Sequence, residues 1–330
     1  MSQIWTQSVK PVEVLTPDPS TKPEVSEPPP FPTFDLFRCP ATGEKLTHEG
    51  DFLVNENGTK RWPIVRGIPR FVENDFYVDS FSFEWNTHNE TQLDSVTGSS
   101  SSEEMFKTKT GLDADQVRDK LVLDAGVGAG RFTDILKKWG ANVVGVDLSF
   151  AVEASYRNFK NDPNVMIAQA DIGKLPFAPE TFDYIVSIGV LHHTPDTKKY
   201  FHGLVPLLKK GGEIAIWVYP AQGDYIKRAA WIPFTHRIPD RMYYSWCRVF
   251  VPLAIKHLDN PIIQFISRAF PFSNQGLGIE NDILDTFDGY SPRFHGIHNP
   301  DEVIPWFEKA GLTDIRTLPW DTAVRGRKPE

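Results

Sequence analysis

The chain has 330 residues, 40% of them hydrophobic and 24% charged, with a formal net charge of −8. That length supports a core without covalent staples, and two cysteines, Cys39 and Cys247, cannot build a disulfide framework or a CxxC metal knuckle. No apolar run approaches the ~20 residues of a membrane-spanning helix and no signal-peptide pattern opens the chain, so the expected location is the cytoplasm. The acidic balance makes nucleic acid an unfavoured partner overall, though a local basic patch stays compatible with it.

Residues 1–33 carry eight prolines among Ser, Thr, Glu and Lys, and read as a disordered tail. Residues 34–73 alternate brief β-type runs, such as Phe52-Leu53-Val54 and Trp62-Pro63-Ile64-Val65, with turn residues Asn57-Gly58 and Gly67. That pattern predicts a small β module held by its own core. Residues 74–120, with Phe81, Phe83, Trp85 and a Ser-rich stretch at Ser99–Ser102, read as a connector and lid. An α/β alternation follows over 121–219, then an aromatic-rich helical cap within 220–298, then helix and strand again over 299–330.

The chemistry concentrates in 121–219. Val122-Leu123-Asp124-Ala125 is a strand that runs into Gly126-Val127-Gly128-Ala129-Gly130. Phe132, Ile135, Leu136 and Trp139 then fall on one face of a helix stopped by Gly140. Strand, glycine turn and helix make the first half of a Rossmann-type unit, and glycine lets backbone approach a ligand closely. A dinucleotide fingerprint would need glycine at position 131, which is Arg131, so the run is DxGxGxG rather than GxGxxG. A second strand, Asn142–Val146, ends in Asp147, where an acid suits ribose hydroxyls. A third ends near Asp171, and a fourth, Phe182–Ile188, leads through Gly189 to His192-His193.

These motifs, in this order and without a gap, resemble the class I S-adenosylmethionine-dependent methyltransferases. The resemblance implies an α/β, Rossmann-like, mostly parallel seven-stranded sheet with helices on both faces. It implies S-adenosyl-L-methionine as cofactor, with Gly126, Gly128 and Gly130 along its methionine and ribose portion and Asp124 orienting the ammonium. Asp147 would accept from the ribose hydroxyls with Leu148 against adenine. Asp171 and the Ile172 amide would meet the adenine edge, and Ile188 and Gly189 would border the reacting end. Val127 stands where the family commonly has cysteine. Cys39-Pro40-Ala41-Thr42-Gly43 is similar to the CPxCG opening of the zinc-ribbon-like methyltransferase-activator domain, but Thr42 replaces the second cysteine and no second pair follows. The expectation is a module with its zinc ligands lost and no metal site.

His192 and His193 sit where the fourth strand delivers residues to the reaction, and either imidazole is a candidate base. Their bland reading is packing under the substrate loop. Arg131, in a first helical turn, is expected to pair with Asp134 or to reach the cofactor carboxylate. Tyr225–Phe270 holds seven Lys/Arg against two acids, and many aromatics. The favoured reading is a cap over a small-molecule acceptor, with Tyr243, Tyr244, Tyr290 and His295 as candidate substrate contacts. The competing readings are an anionic substrate, a membrane-surface face for a lipid-like substrate, or an RNA patch. An RNA methyltransferase and a non-catalytic S-adenosylmethionine-binding protein are the alternative functions.

Overall fold

The computed structural model describes residues 34–72, 93–274 and 278–330. The 1–33 tail and the cluster Phe81, Phe83 and Trp85 lie outside the described residues. Four short strands, β1 (Leu46–Glu49), β2 (Phe52–Asn55), β3 (Arg61–Val65) and β4 (Ile68–Pro69), pair antiparallel in sequence order. The Arg66-Gly67 pair turns β3 into β4 with both residues at positive φ, as a tight hairpin requires.

Seven strands build the main sheet: β5 (Leu121–Ala125), β6 (Asn142–Asp147), β7 (Val165–Gln169), β8 (Phe182–Ile188), β9 (Leu208–Trp217), β10 (Thr313–Thr317) and β11 (Ala323–Arg327). Their order is β10-β11-β9-β8-β5-β6-β7, so β5 has β6 on one side and β8 on the other. Pairs among β5 to β9 are parallel, whereas β11 runs antiparallel to both β9 and β10.

The strand period of two feeds two cores. Leu123, Val144, Val146, Ile185, Ile214 and Ile216 point to one face, where Phe201 and Leu204 of helix Thr197–Leu204 and Phe307 of helix Pro300–Lys309 cover them. Val122, Val143, Val186 and Ala215 point to the other, against Phe106 of helix Ser101–Thr110 and Ile135 and Leu136 of helix Arg131–Lys138. The apolar stripe read from Phe132 to Trp139 is this contact.

The small sheet does not keep a core of its own, contrary to the sequence expectation. Phe37, Cys39, Leu46, Leu53 and Phe71 belong to the same buried cluster as Leu123, Ala168 and Phe177. Phe37 stacks on Phe177 at 5.5 Å, and Phe71 donates its N–H to the Gln169 carbonyl at 2.7 Å. Some forty residues bury too little alone, so the module completes its interior against the larger sheet.

The cap leaves and rejoins the sheet at one place. The Ala221 N–H donates to the His298 carbonyl at 2.8 Å, and the His298 N–H donates to the Tyr219 carbonyl at 2.9 Å. Between them stand helices Asp224–Thr235, Asp240–Lys256, Pro261–Ala269 and Ile279–Tyr290.

Candidate active site

The strand order reverses between β5 and β8, and a crevice outside the carboxyl ends of such strands is the usual ligand position in an open α/β sheet. The turn after β5 reaches that crevice through three glycines at positive φ, +97° at Gly126, +52° at Gly128 and +97° at Gly130. The Gly126 and Val127 amides both donate to the Val146 carbonyl, at 2.8 and 2.9 Å, which fastens the turn to the next strand. Ser155 and Asn158 of helix Val152–Phe159 donate to the Gly128 and Ala129 carbonyls, at 2.7 and 3.0 Å. Glycine spacing exposed the turn to sequence reading; these two clamps were missed. A polar residue at a buried helix position, as Ser155 is, was the available signal.

Asp147 ends β6 with its carboxylate turned to the same turn. Its Oδ2 accepts the Gly128 N–H at 3.0 Å, and its Oδ1 accepts the Ser149 N–H and hydroxyl at 2.9 and 2.7 Å. Leu148 follows, its carbonyl held by the Gln169 amide at 2.8 Å, and Gln169 in turn accepts from Arg70 of the small sheet at 2.9 Å. Asp171 caps the short turn Ile172–Lys174 by accepting the Gly173 N–H at 2.8 Å. Asp124 is buried, and its Oδ2 accepts the Thr133 hydroxyl at 2.7 Å. Burial, with the Asp147 carboxylate nearby, pushes the Asp124 pKa up to about 6. Burial also raises Asp147. Neither acid has an ion-pair partner among the described residues.

Arg131 and Asp134 each have a described partner of their own. Its Nε donates to the Ser102 hydroxyl at 3.0 Å, while Asp134 accepts the Ser95 N–H at 3.0 Å. Helix Ser101–Thr110 therefore supplies one partner of Arg131, an element that sequence reading did not place beside it.

At the end of β8, Ile188 is buried and Gly189 has φ +79° with its N–H on the Trp217 carbonyl at 2.9 Å. The turn Leu191–His193 then buries both histidines. The His192 ring stacks on Tyr219 at 3.6 Å and lies 4.1 Å from His193. His295 joins them, 5.0 Å from Tyr219 and 5.8 Å from His193. His193 Nδ1 meets the Phe294 carbonyl at 2.9 Å, so this nitrogen carries the proton. Neither nitrogen of His192 has a hydrogen-bond partner among the described residues. Burial and the neighbouring imidazoles hold His192 well below the usual histidine range. Burial lowers His193 to about 4 and His295 to about 3, so at neutral pH the cluster is uncharged.

Tyr243 and Tyr244 do not join this cluster. They are 3% and 8% exposed and pack with Cys247, Val251 and Phe287 inside the helical layer. Helical periodicity shows that both are buried but not against what, and their rings form core. Tyr290 is also fully buried there, with its ring 5.8 Å from the Arg228 guanidinium. The residues that sequence reading missed in this quarter are Tyr219, Tyr225, Arg228 and Lys109. Tyr225 lies 4.5 Å from Tyr219, and with Arg228 it lines a cleft of about 350 Å³. Lys109 Nζ sits over the Trp217 ring at 3.3 Å, and burial with the nearby Arg131 charge lowers its pKa to about 7.

The family model described as a methyltransferase domain matches residues 123–216. Residues 123–216 form a class I, S-adenosylmethionine-dependent methyltransferase domain. A tRNA U34 carboxymethyltransferase of Ruthia magnifica is 31% identical over 105 residues, 30% of this chain and 33% of that protein. Phosphoethanolamine N-methyltransferase 2 of Caenorhabditis elegans is 32% identical over 102 residues, 30% of this chain and 23% of its own length. A ubiquinone biosynthesis O-methyltransferase of Coxiella burnetii is 32% identical over 100 residues, 30% of this chain and 43% of the relative. The chain thus spans less than half the length of these relatives, and the acceptors in their names differ. The methyltransferase domain is what they share with it.

The donor set fits a cationic nucleoside cofactor. Two neighbouring carboxylates, Asp124 and Asp147, lie beside a glycine turn without a counter-ion among the described residues, an arrangement that a ligand carrying positive charge relieves.

Proposed function

We propose that this chain transfers a methyl group from S-adenosylmethionine to a small organic acceptor held beneath the 220–298 helices. The observation that carries the reading is the Asp147 carboxylate fastened to Gly128 at the end of the neighbouring strand, with the family-matched segment around it. Asp147 holds the ribose hydroxyls, Leu148 and Ile172 flank the adenine, and Asp171 accepts from its amino group. Asp124 faces the ammonium of the methionine portion, and Ile188 borders the sulfonium. The cofactor supplies an already activated methyl, so the protein has chiefly to align the acceptor and exclude water.

The uncharged ring cluster of His192, Tyr219 and His295 supports a small, flat acceptor. His192 has a free ring nitrogen for the hydroxyl or amine of the acceptor, whereas His193 is tied to the Phe294 carbonyl and orients the loop. His192→Ala should lower kcat/KM for the acceptor about ten- to a hundredfold and leave cofactor affinity unchanged. Calorimetry with steady-state kinetics separates the two, and equal losses in both would remove His192 from the acceptor.

Asp124 gives a pH signature. With its pKa at about 6 in the empty site, roughly half of the molecules carry a proton there at pH 6. An ammonium beside it favours the ionised form, so binding at pH 6 should release up to about half a proton, and close to none at pH 8. Affinity accordingly rises as the pH climbs through 6. Calorimetry in two buffers of different ionisation enthalpy measures the release; none at pH 6 would take Asp124 away from the ammonium. The activity itself is tested by giving the purified protein S-adenosylmethionine and a host metabolite extract. A product one methyl heavier is expected, and saturable cofactor binding without product would favour a non-catalytic binding protein.

A further inference from the structure

Ten of the sixteen large hydrophobic side chains exposed among the described residues lie between 226 and 270, too concentrated to be scattered surface residues. On helix Asp240–Lys256 they repeat as Met242, Trp246, Val249 and Leu253, one stripe at helical spacing, opposite the buried Tyr243, Cys247, Val251 and Ala254. Helix Pro261–Ala269 adds Ile262 at 68% and Phe265 at 71% exposed. One ring contact joins helix Asp224–Thr235 to the end of helix Pro261–Ala269, Trp231 to Phe270 at 5.3 Å, while Phe234 with Trp231 at 6.2 Å and Trp246 with Phe250 at 4.5 Å pair within their own helices.

The charges of this stretch are as one-sided as its apolar residues. Arg237, Arg241, Arg248, Lys256 and Arg268 are exposed and form no ion pair among the described residues. Only Asp259 is an exposed acid between 225 and 270, in a chain of net charge −8. Protruding aliphatic and aromatic side chains bordered by long cations match the acyl boundary and the phosphates of an anionic bilayer at once. RNA would satisfy the cations and leave the apolar stripe in water. No described helix is long and apolar enough to cross a membrane, so the contact is one of lying on the surface.

We propose that the outer face of the 226–270 helices docks on an anionic lipid bilayer. The contact is independent of the methyl-transfer reading, because it uses none of the residues of the cofactor crevice. It sets the cap next to an interface where amphiphilic molecules accumulate.

The test is flotation of the full chain with vesicles of phosphatidylcholine alone or with phosphatidylglycerol added. Co-flotation is expected with the anionic vesicles, weakening with added salt. The pair Ile262→Ser and Phe265→Ser should lower the vesicle partition about tenfold while circular dichroism and cofactor affinity stay unchanged. Arg248→Glu with Lys256→Glu should lower it by a similar factor on anionic vesicles alone. Failure to float with anionic vesicles would overturn the proposal. So would a concentration-dependent dimer in sedimentation that the Ile262 and Phe265 substitutions abolish without any vesicle binding, which assigns the face to a second copy. Retention of RNA by the same cations without vesicle binding would overturn it too.

Discussion

Asp147→Ala should lower S-adenosylmethionine affinity by a hundredfold or more with the fold retained. Hydrogen bonds to a charged acceptor contribute about 1.5–3 kcal/mol each, and two ribose hydroxyls make two of them, about 3–6 kcal/mol together. Each 1.4 kcal/mol is tenfold in affinity. The substitution also releases the Gly128 N–H and the Ser149 amide and hydroxyl, so the turn itself loosens. Asp147→Asn keeps the shape and an acceptor oxygen without the charge, and should fall between the two. Calorimetry gives the affinities and circular dichroism the fold. An Ala variant that binds the cofactor as the natural chain does would overturn the assignment of the crevice.

Gly130→Ala should be severely destabilising, while Gly203→Ala, a few elements away, should be mildly stabilising. A Cβ at Gly130 would stand 2.2 Å from Cε2 of the Phe159 ring, and its φ of +97° is one that side-chain-bearing residues rarely adopt. Backbone strain of this type costs about 1–3 kcal/mol, and overpacking costs about 1–3 kcal/mol more. The displaced Phe159 would carry with it the helix that holds Ser155 and Asn158 against the turn, so cofactor affinity should fall as well. At Gly203, inside helix Thr197–Leu204, a Cβ meets nothing within 4 Å, and Ala there should add about 0.5–1 kcal/mol through helix propensity. Urea unfolding of both variants checks the pair. Similar stability changes of one sign would contradict the turn geometry.

The parts of the molecule legible in the sequence were those written in local patterns. The apolar runs of β5, β6 and β8 alternate with a helix stripe from Phe132 to Trp139; β5 leads into the glycine turn, β6 ends in Asp147, and β8 leads through Gly189 to the His192-His193 pair. The parts that escaped depend on contacts across long separations. Phe37 is followed by turn residues that suggest a separate module, and only its stacking on Phe177 shows that the two share an interior. Tyr243 and Tyr244 carry the composition of a pocket wall, and composition does not distinguish that from the inside of a helical layer. Lys109 follows Phe106 by three positions on an ordinary-looking helix, and nothing local announces that Trp217 lies across from it.

The clasp at Tyr219, Ala221 and His298 has a consequence for how such a chain changes over time. Two backbone hydrogen bonds hold the ends of the cap together, so to the sheet the whole helical insert is a closed loop. The entropy of closing a loop grows only with the logarithm of its length, and each doubling costs about 0.6 kcal/mol. Inserts of very different size and composition can therefore be exchanged at this point with little effect on the stability of the strands beneath. Such exchange would let acceptor recognition diversify in large steps, while the cofactor crevice, on the other side of the clasp, is left to drift residue by residue.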